Sequence, residues 1–224
     1  MENYDIVRSD FNEIAELGDD PKWNHNNCYF PYLLQHVPAG VGTCLDIGCG
    51  KGELSALLSK NAKKVIAVDL ADKMIEYARS NNAADNIEYI CGNILDMNYA
   101  TSSFDIIIST ATAHHLPYDW LLEFAKDKLR PGGKLILLDL AKANSIADHF
   151  VWGFAALPNV IMNLIKNGSL HKDDPHTTAV WRKHGEHDSY MTIHEIRSFV
   201  AQHLPGAIVH RKLFWRYSLI WQKK

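Results

Sequence analysis

The sequence predicts a doubly wound α/β fold, and three observations carry the prediction. Short apolar runs alternate with amphipathic stretches from Thr43 to Leu140, a glycine-rich turn follows the first run, and an acid closes the second. Strands alternating with helices imply a parallel sheet covered on both faces. Right-handed crossovers then wind the chain to both sides of the first strand. The 224 residues fit one such domain with appendages.

Each element has its own signal. Thr43–Ile47 reads as a buried strand, and Glu53–Lys60 as a helix with Leu54, Leu57 and Leu58 on one face. Val65–Val68 is a second strand, and Asp72–Ser80 a helix that turns Met74, Ile75 and Ala78 inward. Ile87–Ile90 and Phe104–Ile108 are the third and fourth strands. Tyr118–Leu129 is a helix stopped by Arg130-Pro131-Gly132-Gly133, ahead of a fifth strand at Lys134–Leu140. Residues 1–40 look helical and carry Trp23, Tyr29, Phe30 and Tyr32, whereas 141–190 break the alternation and are rich in histidine. Thr192–His203 reads as a helix with Ile193, Ile196, Phe199 and Val200 on one side. Ala207–Phe214 and Tyr217–Gln222 read as strands joined by Trp215-Arg216, and so short a link makes them antiparallel.

Composition narrows the class. Hydrophobic residues at 47% and charged ones at 22% suit a soluble globular chain, and a formal net charge of -3 disfavours a nucleic-acid partner. Cys28, Cys44, Cys49 and Cys91 are irregularly spaced, as reduced thiols of a cytoplasmic protein would be. Met1–Asp10 has no signal-peptide character. The most apolar stretch, Phe150–Ile165, is interrupted by Gly153, Pro158, Asn159 and Asn163 and falls short of the roughly 18 residues a spanning helix needs. Its Trp152, Phe154, Leu157, Ile161 and Met162 are expected to face the core.

Leu45-Asp46-Ile47-Gly48-Cys49-Gly50-Lys51-Gly52 is the most informative segment. Glycines between a strand and a helix allow a tight turn and close approach of a ligand to the backbone. The spacing is G-x-G-x-G, whereas the dinucleotide fingerprint is G-x-G-x-x-G, which disfavours a nicotinamide oxidoreductase. Asp69, at the end of Val65-Ile66-Ala67-Val68-Asp69, is positioned to accept both hydroxyls of a ribose.

With these residues the chain resembles the class I S-adenosylmethionine-dependent methyltransferases that act on small molecules (methyltransferase type 11/25-like), over about residues 40–140. The resemblance implies a Rossmann-like seven-stranded sheet of order 3-2-1-4-5-7-6 with an antiparallel last strand. It also implies a single domain over 1–224, with an N-terminal cap (1–40), a cofactor-binding core (41–140), a substrate lid (141–190) and a final helix and strand pair (191–224). Asp46, Gly48, Cys49, Gly50 and Gly52 would wrap the methionine end of S-adenosylmethionine, with Cys49 a space-filler and not a nucleophile. Asp69 would hold the ribose and Leu70 touch the adenine. Cys91-Gly92-Asn93-Ile94-Leu95 resembles the family's G-D-A-x-x segment, with Asn93 where an aspartate usually meets the adenine amino group. Ser103-Phe104-Asp105-Ile106-Ile107 and Arg130-Pro131-Gly132-Gly133 resemble the strand before the active site and the turn before strand five. Met74, Ile94, Leu95, Ser109 and Thr110 complete the expected cofactor set.

In such a fold the acceptor lies beside the loop after strand four, Ser109-Thr110-Ala111-Thr112-Ala113-His114-His115-Leu116. Methyl transfer needs alignment and, for a hydroxyl or amine, a base; His114 and His115 are the catalytic candidates. Trp23, Tyr29, Tyr32 and Trp152 are candidates for the substrate wall. The loop carries no N/D-P-P-Y/F segment, no cysteine nucleophile and no paired glutamates, which leaves a small-molecule acceptor. The alternatives are a non-catalytic S-adenosylmethionine-binding regulator or a methyltransferase of protein or tRNA. The acidic and histidine-rich run His171, Asp173, Asp174, His176, His184, Glu186 and His187 has no metal-ligand spacing, so no metal is expected. A monomer or homodimer without a membrane span is expected.

Overall fold

The computed structural model describes residues 4–18, 21–144, 156–167, 175–186 and 188–224. Seven strands form one sheet in the order β3-β2-β1-β4-β5-β7-β6. They are β1 (Val41–Ile47), β2 (Ala62–Asp69), β3 (Ile87–Cys91), β4 (Phe104–Thr110), β5 (Leu129–Leu140), β6 (Ile208–Arg211) and β7 (Arg216–Gln222). All neighbours pair parallel except β7, which runs against both β5 and β6. The expected strand order and reversed last strand are both present.

Alternation along the strands explains why both faces are covered. Leu45, Ile47, Ile107, Leu135 and Leu137 point to one face; Cys44, Ile106, Ile108, Ile136 and Leu138 point to the other. The first face packs on α5 (Tyr118–Lys128), through Leu121, Leu122 and Ala125, and on α8 (Ile193–His203), through Ile193, Ile196 and Val200. The second packs on α2 (Phe30–Leu34), α3 (Glu53–Leu58) and α4 (Asp72–Asn81), through Leu33, Leu54, Leu58, Ile75 and Ala78. Thr192 starts α8 with a capping box: its hydroxyl accepts from Glu195 N at 3.2 Å, and Glu195 Oε2 accepts from Thr192 N at 2.7 Å.

Two boundaries differ from expectation. The Arg130-Pro131-Gly132-Gly133 segment does not precede β5 but lies inside it, as an irregularity where the register jumps from Phe104↔Leu129 to Ile106↔Lys134. Arg130 Nη1 donates to Asp105 Oδ2 at 2.5 Å, and Thr43 N donates to the same oxygen at 2.7 Å, so the bulge is tied to β4 and β1. The last two strands are joined through Phe214 and Trp215, both at positive φ (58° and 56°), which lets Arg216 begin β7.

The appendages cover the carboxyl edge of the sheet. α1 (Tyr4–Ala15) carries Val7, Phe11, Ile14 and Ala15 at helical spacing, and its Ile14 and Ala15 pack with Ala71 and Met74 of the α4 start. Asn12 reaches across to α4: its Oδ1 accepts from Lys73 N at 3.1 Å and its amide donates to Asp72 at 2.7 Å. Beyond β5 come α6 (Ala156–Met162), continued by a π-helical turn at Asn163–Asn167, and α7 (Pro175–Gly185), whose Val180 joins the α1–α4 contact. Ile161 is 43% exposed, against the expectation that it faces the core, while Met162 packs on Trp23 and Phe214. Trp152 and Phe154 lie outside the described residues. No helix among the described residues is long and apolar enough to cross a membrane.

Candidate active site

The turn after β1 is held by the chain's own backbone. Gly48 N and Cys49 N both donate to Val68 O, at 2.8 and 3.0 Å, which presses the turn onto the end of β2. Gly48, Gly50 and Gly52 all have positive φ, at 70°, 52° and 83°. Their roles differ. A side chain on Gly48 would collide with Thr112, and one on Gly52 would come within 2.5 Å of the Tyr89 hydroxyl. A side chain on Gly50 would meet only open space, because that glycine borders a cavity.

The cavity has a volume of about 840 Å³, room for a nucleoside-sized ligand and a second small molecule. One end is walled by Gly48, Cys49 and Gly50, by Asp69 and Leu70 at the end of β2, by Met74 of α4, and by Asn93 and Ile94 after β3. Asp46 lies behind the turn, 1% exposed, with Oδ2 accepting from Ser55 Oγ at 2.6 Å. Burial pushes its carboxyl up to about 7, with Ser55 opposing and Asp69 adding to the shift. The Asp69 carboxylate is held at the cavity edge by backbone: Oδ2 accepts from Gly50 N at 2.8 Å and Oδ1 from Ala71 N at 2.9 Å. Each oxygen keeps a lone pair for a ligand hydroxyl. Burial raises the Asp69 carboxyl, and the amides of Ala71, Gly50 and Leu70 oppose that. The Cys49 thiol is pushed well above its ordinary value by burial, which suits a space-filler.

The other end of the cavity gathers the loop after β4 and the appendages. Ala111 sits at φ 53°, and Thr112 Oγ1 donates to Thr110 O at 3.2 Å; the chain then makes a 3₁₀ turn at Ala113–His115. His114 Nδ1 lies 2.6 Å from Asp139 Oδ1 near the end of β5, which orients the ring and turns Nε2 the other way. The His114 and His115 ring centroids are 4.0 Å apart, and Tyr190 lies 5.0 Å from His114. Phe11 of α1 meets His115 and His184 edge-on, at 5.7 and 4.7 Å. Asp188, Tyr190 and Arg216 also line this end, and Trp181 and His184 of α7 close over it.

Of the expected cofactor residues, Asp46, Gly48, Cys49, Gly50, Asp69, Leu70, Met74, Asn93, Ile94 and Thr110 line the cavity, as do His114 and His115. Gly52, Leu95 and Ser109 do not. Gly52 is roofed by Tyr89 and Ala78, Leu95 N is bound by Asn93 Oδ1 at 3.0 Å, and Ser109 Oγ donates to Ile47 O at 2.8 Å inside the sheet. The three substrate-wall aromatics are also elsewhere. Trp23 is buried on Phe214, the Tyr29 hydroxyl donates to Leu213 O at 3.2 Å, and Tyr32 pairs with Ser218 Oγ at 3.1 Å. They pack the cap onto β7 and its preceding loop instead of facing the cavity. The fourth, Trp152, lies outside the described residues. Sequence reasoning missed Phe11, Asp188, Tyr190 and Arg216. Arg216, an isolated arginine in an apolar strand, and the i,i+4 pair His184 and Asp188 were the available signals.

A parallel sheet with one reversed strand, an open glycine turn after β1 and a carboxylate at the end of β2 define a protein that binds a nucleoside-type cofactor at a topological switch point. Residues 45–137 match the family model described as a methyltransferase domain. An uncharacterised methyltransferase of Mycobacterium tuberculosis is 27% identical over 207 residues, covering 91% of this chain and 98% of that protein. A demethylmenaquinone methyltransferase of Symbiobacterium thermophilum is 29% identical over 188 residues, 79% of this chain and 71% of that one. The crystal structure of an N-methyltransferase from Bradyrhizobium japonicum, solved with S-adenosylhomocysteine, shares the fold with a TM-score of 0.62 at 15% identity, over 96% of this chain and 98% of that one. Residues 45–137 form a methyltransferase domain, and the chain is an S-adenosylmethionine-dependent methyltransferase. The site fits that cofactor: Gly50 leaves open space beside the turn, and Asp69 offers two acceptor oxygens to a ribose.

Proposed function

We propose that this enzyme methylates a small-molecule acceptor, bound at the histidine end of the cavity, and releases S-adenosylhomocysteine. The observation that carries the reading is one continuous cavity joining the glycine turn and Asp69 to His114, His115 and Tyr190, under α1 and α7. A chamber roofed by the chain's own helices suits a metabolite better than a polymer. The demethylmenaquinone methyltransferase, a relative over most of this chain, also supports a small acceptor.

S-adenosylmethionine supplies an electrophilic methyl group on a sulfonium. The residues around it bind, orient and exclude water. Asp69 takes the ribose, Leu70, Asn93 and Ile94 the adenine, and Gly48–Gly50 the methionine end. Asn93 already spends one oxygen lone pair on Leu95 N and keeps another for the adenine amino group. The acceptor's hydroxyl or amine must lose a proton for the transfer, and His114 acts on that proton through Nε2, its Nδ1 being engaged by Asp139. His115, buried against Phe11 and His184, shapes the chamber.

Calorimetry with S-adenosylhomocysteine, followed by turnover on a metabolite panel, tests the reading. His114→Ala is expected to lower turnover by about 10²-fold or more while cofactor affinity changes less than about threefold. Equal loss of both would reduce His114 to a packing residue.

A further inference from the structure

Beneath α7, at the end of the cavity away from the glycine turn, three imidazoles converge on one carboxylate. His114 Nε2 and His184 Nε2 lie 3.9 and 3.7 Å from Asp188 Oδ2, and His115 Nδ1 lies 3.8 Å from Asp188 Oδ1. All four side chains are nearly buried, at 4 to 8% exposure. The separations are too long for hydrogen bonds. They are close to the ~3.3 Å that separates ligand atoms of a tetrahedral site with bonds of about 2.0–2.1 Å. One donor atom each from His114, His115 and Asp188 already falls within a 4.8 Å sphere of mutual distances.

Two further observations point to a cation. Asp188 Oδ1 is buried without a hydrogen-bond partner among the described residues. Among those residues no lysine or arginine pairs with Asp188; its other partner is the Tyr190 hydroxyl, which donates to Oδ2. A buried carboxylate so placed requires compensating charge. The surroundings also have the form of an outer shell. Asp139 engages His114 Nδ1 at 2.6 Å, the carboxylate–histidine arrangement that orients a metal-binding imidazole.

We propose that His114 Nε2, His115 Nδ1 and Asp188 bind one divalent transition-metal cation of the zinc or cobalt type, with a fourth position left open to the acceptor. Imidazole and carboxylate donors in this proportion suit such borderline ions better than magnesium or calcium. The site rests on the proposed function and deepens it. With the ion bound, the His114 Nε2 lone pair holds the metal instead of taking the proton, and an acceptor oxygen or nitrogen bound to the ion becomes more acidic and loses its proton there. The acceptor class would be one that offers a metal-binding hydroxyl.

The test uses the full chain, stripped with a chelator and then titrated with zinc by calorimetry and with cobalt by visible absorption. One equivalent of zinc is expected to bind, and cobalt to develop the intense d–d bands of a low-coordinate site with histidine ligands. Asp188→Asn should weaken zinc binding by at least about tenfold, and Asp139→Asn by about 10- to 100-fold. S-adenosylhomocysteine affinity, measured on the same samples, checks that the variants fold and tests the methyltransferase reading separately. Failure of the wild-type protein to bind zinc, or zinc affinity unchanged in Asp188→Asn, overturns the proposal. The cobalt spectrum needs no variant: its bands support the site, and their absence overturns it, even if a substituted chain fails to fold.

Discussion

Asp69 joins two parts of the site: one oxygen holds the Gly50 amide and the other the Ala71 amide at the start of α4. In the proposed arrangement, substituting it removes a ligand contact and loosens the turn beside the cofactor. Asp69→Ala is expected to weaken S-adenosylhomocysteine binding by at least about tenfold and to lower thermal stability, since two backbone donors lose their acceptor. Unchanged calorimetric affinity would remove Asp69 from the cofactor site. Asp46 yields a pH prediction. Its folded carboxyl sits near 7, well above an unfolded aspartate near 3.9. Between these values the folded chain holds the proton that the unfolded chain releases. Stability of the cofactor-free protein should therefore decline as pH rises from about 4 to 7, with a slope of at most about 1.4 kcal/mol per pH unit from this group. Denaturant titrations at several pH values should show a shallower decline in Asp46→Asn, and an identical slope would exclude Asp46 as the source.

The glycine turn shows that one motif can hold residues with different duties. Gly52 caps the start of α3 at φ 83° with the Tyr89 hydroxyl and Ala78 overhead, whereas Gly50 at φ 52° faces the cavity. Gly52→Ala should cost about 2 kcal/mol or more of stability, combining left-handed strain with the collision. Gly50→Ala carries only the strain, about 1–2 kcal/mol, and places its methyl in the open space that the proposed cofactor would fill. Thermal unfolding should rank Gly52→Ala as the more damaging, and calorimetry should rank Gly50→Ala as the weaker binder relative to its stability. The reverse ranking would refute the assignment. The same contrast explains what the sequence could reveal. Spacing located Asp46, the glycines and Asp69 because a strand, a turn and a strand end are encoded within about 25 residues. It could not separate Gly52 from Gly50, because Tyr89 arrives from β3. Nor could it see that Ser109 turns into the sheet, where its hydroxyl binds Ile47 O. Phe11, His184, Asp188, Tyr190 and Arg216 come to the cavity from α1, from α7 and the segment after it, and from β7, far apart in sequence, and no local pattern announces a tertiary meeting. Trp23, Tyr29 and Tyr32 misled for the converse reason. Aromatic residues suit a substrate wall and a cap–sheet interface equally well, and here they form the interface.

At the scale of the molecule, the core is rigid and the cover is light. The sheet is buried on both faces, whereas α1 meets the core through a small cluster of Ile14, Ala15, Ala71, Met74 and Val180 and a few polar ties. Among these ties Arg8 Nε donates to Leu70 O at 3.3 Å, and Asn12 bonds both Lys73 N and Asp72. Lys183 of α7 meets Glu13 at 2.8 Å, a partly exposed pair to which solvent leaves little strength, and reaches the buried Asp10 at 3.3 Å. Segments with few apolar contacts open at low free energy, and α1 and α7 are walls of the cavity that takes the cofactor in the proposed arrangement. A ligand that touches these walls only when they are shut stabilises the shut form by its differential affinity. S-adenosylhomocysteine should therefore slow amide exchange in α1 and α7 as well as in the Gly48–Gly52 turn, and leave β5 and β7, already protected by the sheet, unchanged. Replacing Arg8 and Asn12 together by alanine removes about 1–2 kcal/mol of ties. That should accelerate exchange in α1 without disturbing the sheet and weaken the cofactor by roughly tenfold. Protection confined to the glycine turn, with α1 exchanging at the same rate in the bound and free enzyme, would show that the cover takes no part in holding the cofactor.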